Sequence, residues 1–103
     1  MTNNRNEIKL VVGDALDITF ELKSDFQIKE AYFVCKDLNI NAQLNRSISK
    51  DDYQLLIENT EFFQSGNFDY DIKVVFIDNT LYTACYRGLF QVLPNVNTLE
   101  RSA

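Results

Sequence analysis

Apolar and polar residues alternate with a period of two along several stretches of this chain. Leu16, Ile18, Phe20 and Leu22 form one apolar row, with Asp17, Thr19, Glu21 and Lys23 between and after them. Phe68, Tyr70, Ile72, Val74 and Phe76 form a second row, separated by Asp69, Asp71, Lys73 and Val75. Tyr53, Leu55 and Ile57 make a shorter one. Successive side chains of a strand point to opposite faces, so such rows predict strands with one face on a core and the other in water. Ala31, Phe33 and Cys35 are expected to face the core as well, although Tyr32 and Val34 make that stretch apolar on both sides.

Turn residues punctuate these runs. Gly13-Asp14 follows a first predicted strand over 8–12, Ser24-Asp25 follows the second, and the stretch 37–41 ends the third. Asp51-Asp52 precedes the Tyr53 strand, and Asp78-Asn79 divides the two longest strands. Asn and Asp tolerate positive φ, and Gly13 and Gly66 read as positions that need it. Roughly seven strands with turns every 8–12 residues predict an all-β antiparallel sandwich of the immunoglobulin-like type. One stretch, 59–64, reads as one or two helical turns, with Asn59 or Thr60 as cap and Gly66 beyond it. The sandwich is expected to span 8–94, with polar tails over 1–7 and 95–103.

The pairing of the two longest strands has two solutions. A two-residue loop at Asp78-Asn79 pairs 76 with 81 and turns Leu81, Thr83 and Cys85 inward. A three-residue loop pairs 76 with 82 and turns Tyr82, Ala84 and Tyr86 inward. The second keeps parity through Phe76–Tyr82, Tyr70–Gly88 and Phe68–Phe90, and is preferred unless a bulge at Gly88 intervenes. It leaves Val75 beside Thr83 and Ile77 beside Leu81 on the outer face. Val75, Ile77 and Leu81 are therefore the expected partner-binding residues, with Val96 and Leu99 beyond Pro94 extending onto a neighbour.

At 103 residues the chain is long enough for one domain and too short for two. Its formal charge of −5 argues against gripping nucleic-acid phosphates with a basic face. Histidine is absent, which removes the commonest general acid–base group and the commonest zinc ligand. Cys35 and Cys85 lack the short spacing of a zinc or redox site, and can pair only if the fold brings their Cα atoms within about 7 Å. No apolar signal region follows the N-terminus and no membrane-length apolar run occurs, so synthesis in a cytoplasm with two free thiols is expected.

Ser65-Gly66-Asn67-Phe68-Asp69-Tyr70-Asp71-Ile72 resembles the start of strand F in immunoglobulin-like sandwiches. Phe68 and Tyr70 stand where antibody-type domains carry the corner tyrosine and the disulfide cysteine. Over 8–96 the chain resembles the small immunoglobulin-like domains of tailed-phage virion proteins, including the N-terminal domain of the baseplate upper protein family. The matching features are the Gly13-Asp14 turn, the alternating strand 16–22, and Gly66, Phe68, Asp69, Tyr70, Asp71 and Ile72. Thr83, Gly88, Phe90, Val92 and Pro94 match the closing strand. Two features depart from the family: Asp78-Asn79 replaces the usual Asp-Gly or Asn-Gly turn, and the sequence stops nine residues past Pro94 instead of continuing into a fibre.

This resemblance implies a non-catalytic structural module of a virion, in a baseplate or fibre anchor, synthesised in the host cytoplasm. Its implied partners are other virion proteins and further copies of itself, with no nucleic acid, membrane or cofactor. A carbohydrate- or receptor-binding adhesion domain is the alternative reading.

Candidate catalytic chemistry is thin. Asp69 and Asp71 share one face of a strand, with carboxylates about 7 Å apart by the rise per residue. A retaining glycosidase needs about 5–5.5 Å and one carboxyl made neutral by burial. The two alternate with core residues and read as a solvated face. Calcium requires six or more oxygens, and no loop supplies them. The eight phenylalanines and five tyrosines could form a sugar platform, but Phe20, Phe33, Phe68, Tyr70 and Phe76 fall on core parity. No activity is expected of the chain.

Overall fold

A computed structural model describes residues 7–47 and 51–95. Eight strands lie among them: β1 (Glu7–Val11), β2 (Leu16–Glu21), β3 (Ile28–Cys35), β4 (Ile40–Gln43), β5 (Asn45–Arg46), β6 (Asp52–Ile57), β7 (Gly66–Phe76) and β8 (Leu81–Leu93). They form a five-stranded sheet in the order β1-β8-β7-β3-β4 and a three-stranded sheet in the order β2-β6-β5. Pairing is antiparallel except between β1 and β8, which run parallel from Glu7–Leu89 to Val11–Leu93. The architecture is an immunoglobulin-like sandwich, as the alternation predicts.

The predicted rows become the inner faces. Phe33, Cys35, Tyr70, Ile72, Val74, Phe90 and Val92 of the large sheet are buried against Leu16, Tyr53 and Leu55 of the small one. Phe33 sits at the centre. Its ring stacks on Tyr70 at 5.0 Å and meets the edge of Phe90 at 5.8 Å, with Phe20 at 6.5 Å from the opposite sheet. Offset and edge-on contacts of this kind add to the area that each ring buries. Phe20, Phe68 and Phe76 pack on the margin of the same core and are half-buried.

The segment 59–64 is not helical. It contains a single turn, closed by the Phe63 amide donating to the Thr60 carbonyl. Thr60 is fully buried, and its hydroxyl donates to the Asp14 carbonyl at 2.6 Å while accepting from the Gly13 amide at 2.9 Å. That hydroxyl ties two loops together and does not cap a helix. Gly13 has a φ of 95°, so this loop needs a residue without a Cβ. A short 3₁₀ turn at Lys36–Leu38 joins β3 to β4 and ends on Asn39, also in the left-handed region at φ 57°.

The β7–β8 pairing differs from the register expected of a three-residue loop. Phe68–Phe90 and Tyr70–Gly88 pair as expected, but toward the turn Val74 faces Tyr82 and Val75 faces Leu81. Two irregularities lie between, one on each side of the Ile72–Cys85 pair, and slip the register by two residues. One of the two contains Arg87, which adopts a left-handed φ of 58°. Its amide donates to Asp71 at 2.8 Å and its guanidinium contacts Asp69 at 3.1 Å, so two carboxylates hold the strained residue in place. Tyr86 is consequently exposed, and Cys85 takes the position across from the buried Ile72.

Candidate docking surface

The β7–β8 turn and the loop 22–27 between β2 and β3 meet at one end of the sandwich. The turn is built locally. The Asn79 amide donates to the Phe76 carbonyl at 2.8 Å, and the Thr80 amide donates to the Asp78 carboxylate at 2.9 Å. Asn79 takes a φ of 71°, which its short polar side chain tolerates. The Thr80 hydroxyl and amide hold the Asp78 carboxyl below its ordinary value. Cross-links to the neighbouring loop and strand come from the Ile77 amide to the Gln27 carbonyl at 3.2 Å and from Lys29 Nζ to Asn79 Oδ1 at 3.2 Å.

Among the described residues the strands of the small sheet do not reach this end. Its strands stop at Glu21 and Asp52, while β7 and β8 continue past them. Among the described residues the inner face of the hairpin meets the loop 22–27 here, and an open groove of about 420 Å³ lies between Leu22, Phe26, Ile28, Val74, Phe76 and Tyr82. A second groove of similar size lies across Phe26, against Ile77 and Thr80. Phe26 stands between them, its ring edge-on to Phe76 at 5.8 Å, and Phe76 lies 6.1 Å from Tyr82.

Large apolar side chains are concentrated here. Phe26 is 71% exposed, Ile77 60%, Leu81 73% and Tyr82 58%. Of the residues that sequence reasoning nominated, Ile77 and Leu81 belong to this exposed end, and Val75 lies half-buried directly across from Leu81. The expected neighbours are exchanged: Val75 faces Leu81, and Thr83 faces Lys73, whose ammonium donates to the threonine hydroxyl at 2.9 Å. Val96 and Leu99 lie outside the described residues.

Phe26 and Tyr82 are the members that sequence reasoning missed. Phe26 carried a signal, being a lone aromatic in the polar turn Ser24-Asp25-Phe26-Gln27. Tyr82 carried none, because its parity is that of a core residue.

The remaining candidate groups are occupied. Asp69 and Asp71 both engage Arg87, and Asp71 also lies 3.7 Å from Lys73. Among the described residues no cluster of three or more His, Cys, Asp or Glu side chains could hold a metal. Cys35 is buried on β3 and Cys85 half-buried on β8, and the two form no disulfide. Burial pushes the Cys35 thiol up, so it stays protonated at neutral pH. No helix among the described residues is long and apolar enough to cross a membrane.

Two packed sheets around an aromatic centre, with an exposed apolar hairpin end, define an immunoglobulin-like β-sandwich. The chain is similar to a solved structure of the fibronectin(III)-like modules of Clostridium thermocellum CbhA. The two share 13% identity with a TM-score of 0.58, over 87% of this chain and 89% of that one. At that identity the likeness is one of fold. No family model matches the chain, and no curated protein matches it in sequence.

Proposed function

We propose that this chain is a non-catalytic docking module that holds a protein partner through the exposed end of its β7–β8 hairpin. The exposed cluster of Phe26, Ile77, Leu81 and Tyr82 carries this reading. Burying one such side chain is worth about 1.5–3 kcal/mol, so a few of them supply much of a specific contact. The fold likeness to fibronectin(III)-like modules and the engagement of Asp69 and Asp71 by Arg87 support a binding role over a catalytic one.

The finer reading places the module in a tailed-phage virion, as a baseplate or fibre-anchoring component with other virion proteins and copies of itself as partners. Its support is the ordered set of sequence features from Gly13-Asp14 through Gly66–Ile72 to Pro94. Mass spectrometry of purified particles, with chemical cross-linking, tests it. The expected result is the chain in stoichiometric amount, cross-linked to a tail or capsid protein through residues 77–82. Infectious particles that lack the chain would overturn the virion assignment.

A second reading, carbohydrate binding, draws on Phe26, Phe76 and Tyr82 lining the groove beside Asp25. Binding on a glycan array that Tyr82→Ala abolishes would favour it.

A further inference from the structure

We propose that two copies of this chain associate by antiparallel pairing of the outer edges of their β8 strands, around a two-fold axis at Tyr82. The proposal rests on the hairpin end as the docking surface and names its partner. β8 is flanked by β7 on one side, but β1 covers its other side only from Leu89 to Leu93. Among the described residues no strand lies along the outer edge of 81–84.

Backbone geometry prepares that edge for a partner. The Phe76 amide donates to the Thr80 carbonyl at 3.0 Å. Bonding positions alternate along an antiparallel ladder, so Thr80 and Tyr82 bond toward β7 while Leu81 and Thr83 aim their amides and carbonyls outward. An open row of this kind is a template for strand addition.

The side chains favour a strand over any other partner. Leu81 and Tyr82 project from opposite faces of β8, and both are more than half exposed. A partner laid on one face leaves the other side chain in water. A strand added at the edge flanks both.

Charge selects a second copy. From Asn79 to Tyr86 no residue carries a charge at neutral pH, in a chain of net charge −5. Two copies of an acidic protein repel across most of their surface, and this neutral segment is where they meet without that cost. A two-fold axis also makes the contact self-complementary. Tyr82 meets the Tyr82 of the second copy, and Leu81 meets its Thr83. Aromatic pairs directly opposite each other stabilise antiparallel strands.

The irregularities of β8 limit the ladder. The first lies between Thr83 and Cys85, so only the stretch 80–83 presents a regular edge. An axis at Tyr82 centres the pairing there. Because β1 begins across from Leu89, each copy's β1 then lies past the hairpin tip of the other and does not obstruct it.

Sedimentation equilibrium of the purified full chain, from micromolar to millimolar concentration, tests the proposal. The expected result is a reversible rise from one chain mass to two. Leu81→Lys combined with Tyr82→Lys, shown folded by circular dichroism, should shift the midpoint at least about tenfold upward, because two lysines would then stand directly opposite each other at position 82 and two more would lie diagonally across at position 81 on the other face. Tyr82→Cys in a Cys85→Ser background should form a disulfide-linked dimer under mild oxidation much faster than Phe62→Cys in the same background. A wild-type chain monomeric at millimolar concentration overturns the proposal. So does a dimer that survives the lysine pair, or cross-linking of the Tyr82→Cys variant no faster than that of the control. If the lysine pair unfolds the domain, the cysteine comparison decides. A dimer in solution from a chain absent from particles refutes the virion reading alone. A monomeric chain found in particles refutes this inference alone.

Discussion

Gly88→Ala tests the core at its tightest point. Gly88 lies across from Tyr70 in the β7–β8 ladder, and a Cβ built on it would stand 2.4 Å from Tyr70 Cζ, 2.5 Å from Cε2 and 2.8 Å from the hydroxyl oxygen. The tyrosine ring cannot move away. It is 2% exposed, stacks on Phe33 at 5.0 Å and lies 6.4 Å from Phe20 of the opposite sheet.

The backbone offers no objection to alanine, since Gly88 is not among the residues with positive φ. On conformational grounds alone the substitution should help, because glycine weakens a strand. Overpacking costs about 1–3 kcal/mol in ordinary cases, and contacts this short belong at the upper end, about 3 kcal/mol. For a domain of this size that lowers Tm by about 12–24 °C.

Urea denaturation monitored by circular dichroism measures the loss, and a double-mutant cycle assigns its cause. Tyr70→Leu alone should destabilise by about 2–3 kcal/mol through the cavity it leaves. With the ring gone the alanine methyl has room, so the double variant should be at least about 1 kcal/mol more stable than the sum of the two. A cost below about 1 kcal/mol for Gly88→Ala, or additivity within about 0.5 kcal/mol, would refute the steric argument.

Two further outcomes follow from polar and titratable groups in the core. Thr60→Val keeps the shape but leaves the Gly13 amide and Asp14 carbonyl without their partner, and should cost about 1–3 kcal/mol in urea titrations, with Thr60→Ser close to wild type. Stability should also fall in alkali. Burial pushes both the Cys35 thiol and the Tyr70 phenol above their ordinary values of 9.0 and 10.0, with Cys85 reinforcing the effect on Tyr70. The unfolded chain releases these protons first, so it binds fewer than the folded chain. Stability is then lost as pH rises through 9.0 and 10.0, by up to about 1.4 kcal/mol per pH unit for each group. Urea midpoints across that range check this, and Tyr70→Phe should flatten the upper part of the slope.

Much of the sandwich was legible in local patterns because facing is a period-two property of the chain itself. The rows Leu16–Ile18–Phe20 and Tyr70–Ile72–Val74 became inner faces, and Gly13 and Asn79 took the positive φ values that their side chains permit. Register was not legible. The two shifts together move the pairing by two residues and leave 81–83 on their original faces, so parity could not distinguish Phe76–Tyr82 from the observed Val74–Tyr82, and only Cys85 and Tyr86 between the shifts change face. One of the two shifts contains Arg87 in a left-handed conformation, held by carboxylates 16 and 18 residues away.

The exposed hairpin end shows the same division. Ile77 and Leu81 were visible as apolar residues on the wrong face of a filled strand. Tyr82 was not, because its burial depends on whether the opposite sheet extends far enough to cover it. Thr60 reads as a cap in its own segment, yet its hydroxyl serves a loop 46 residues away. Strand identity and facing come from the chain's own geometry. Register, exposure and the partner of a hydroxyl come from contacts between residues far apart in sequence, which exist only once the sheets have packed.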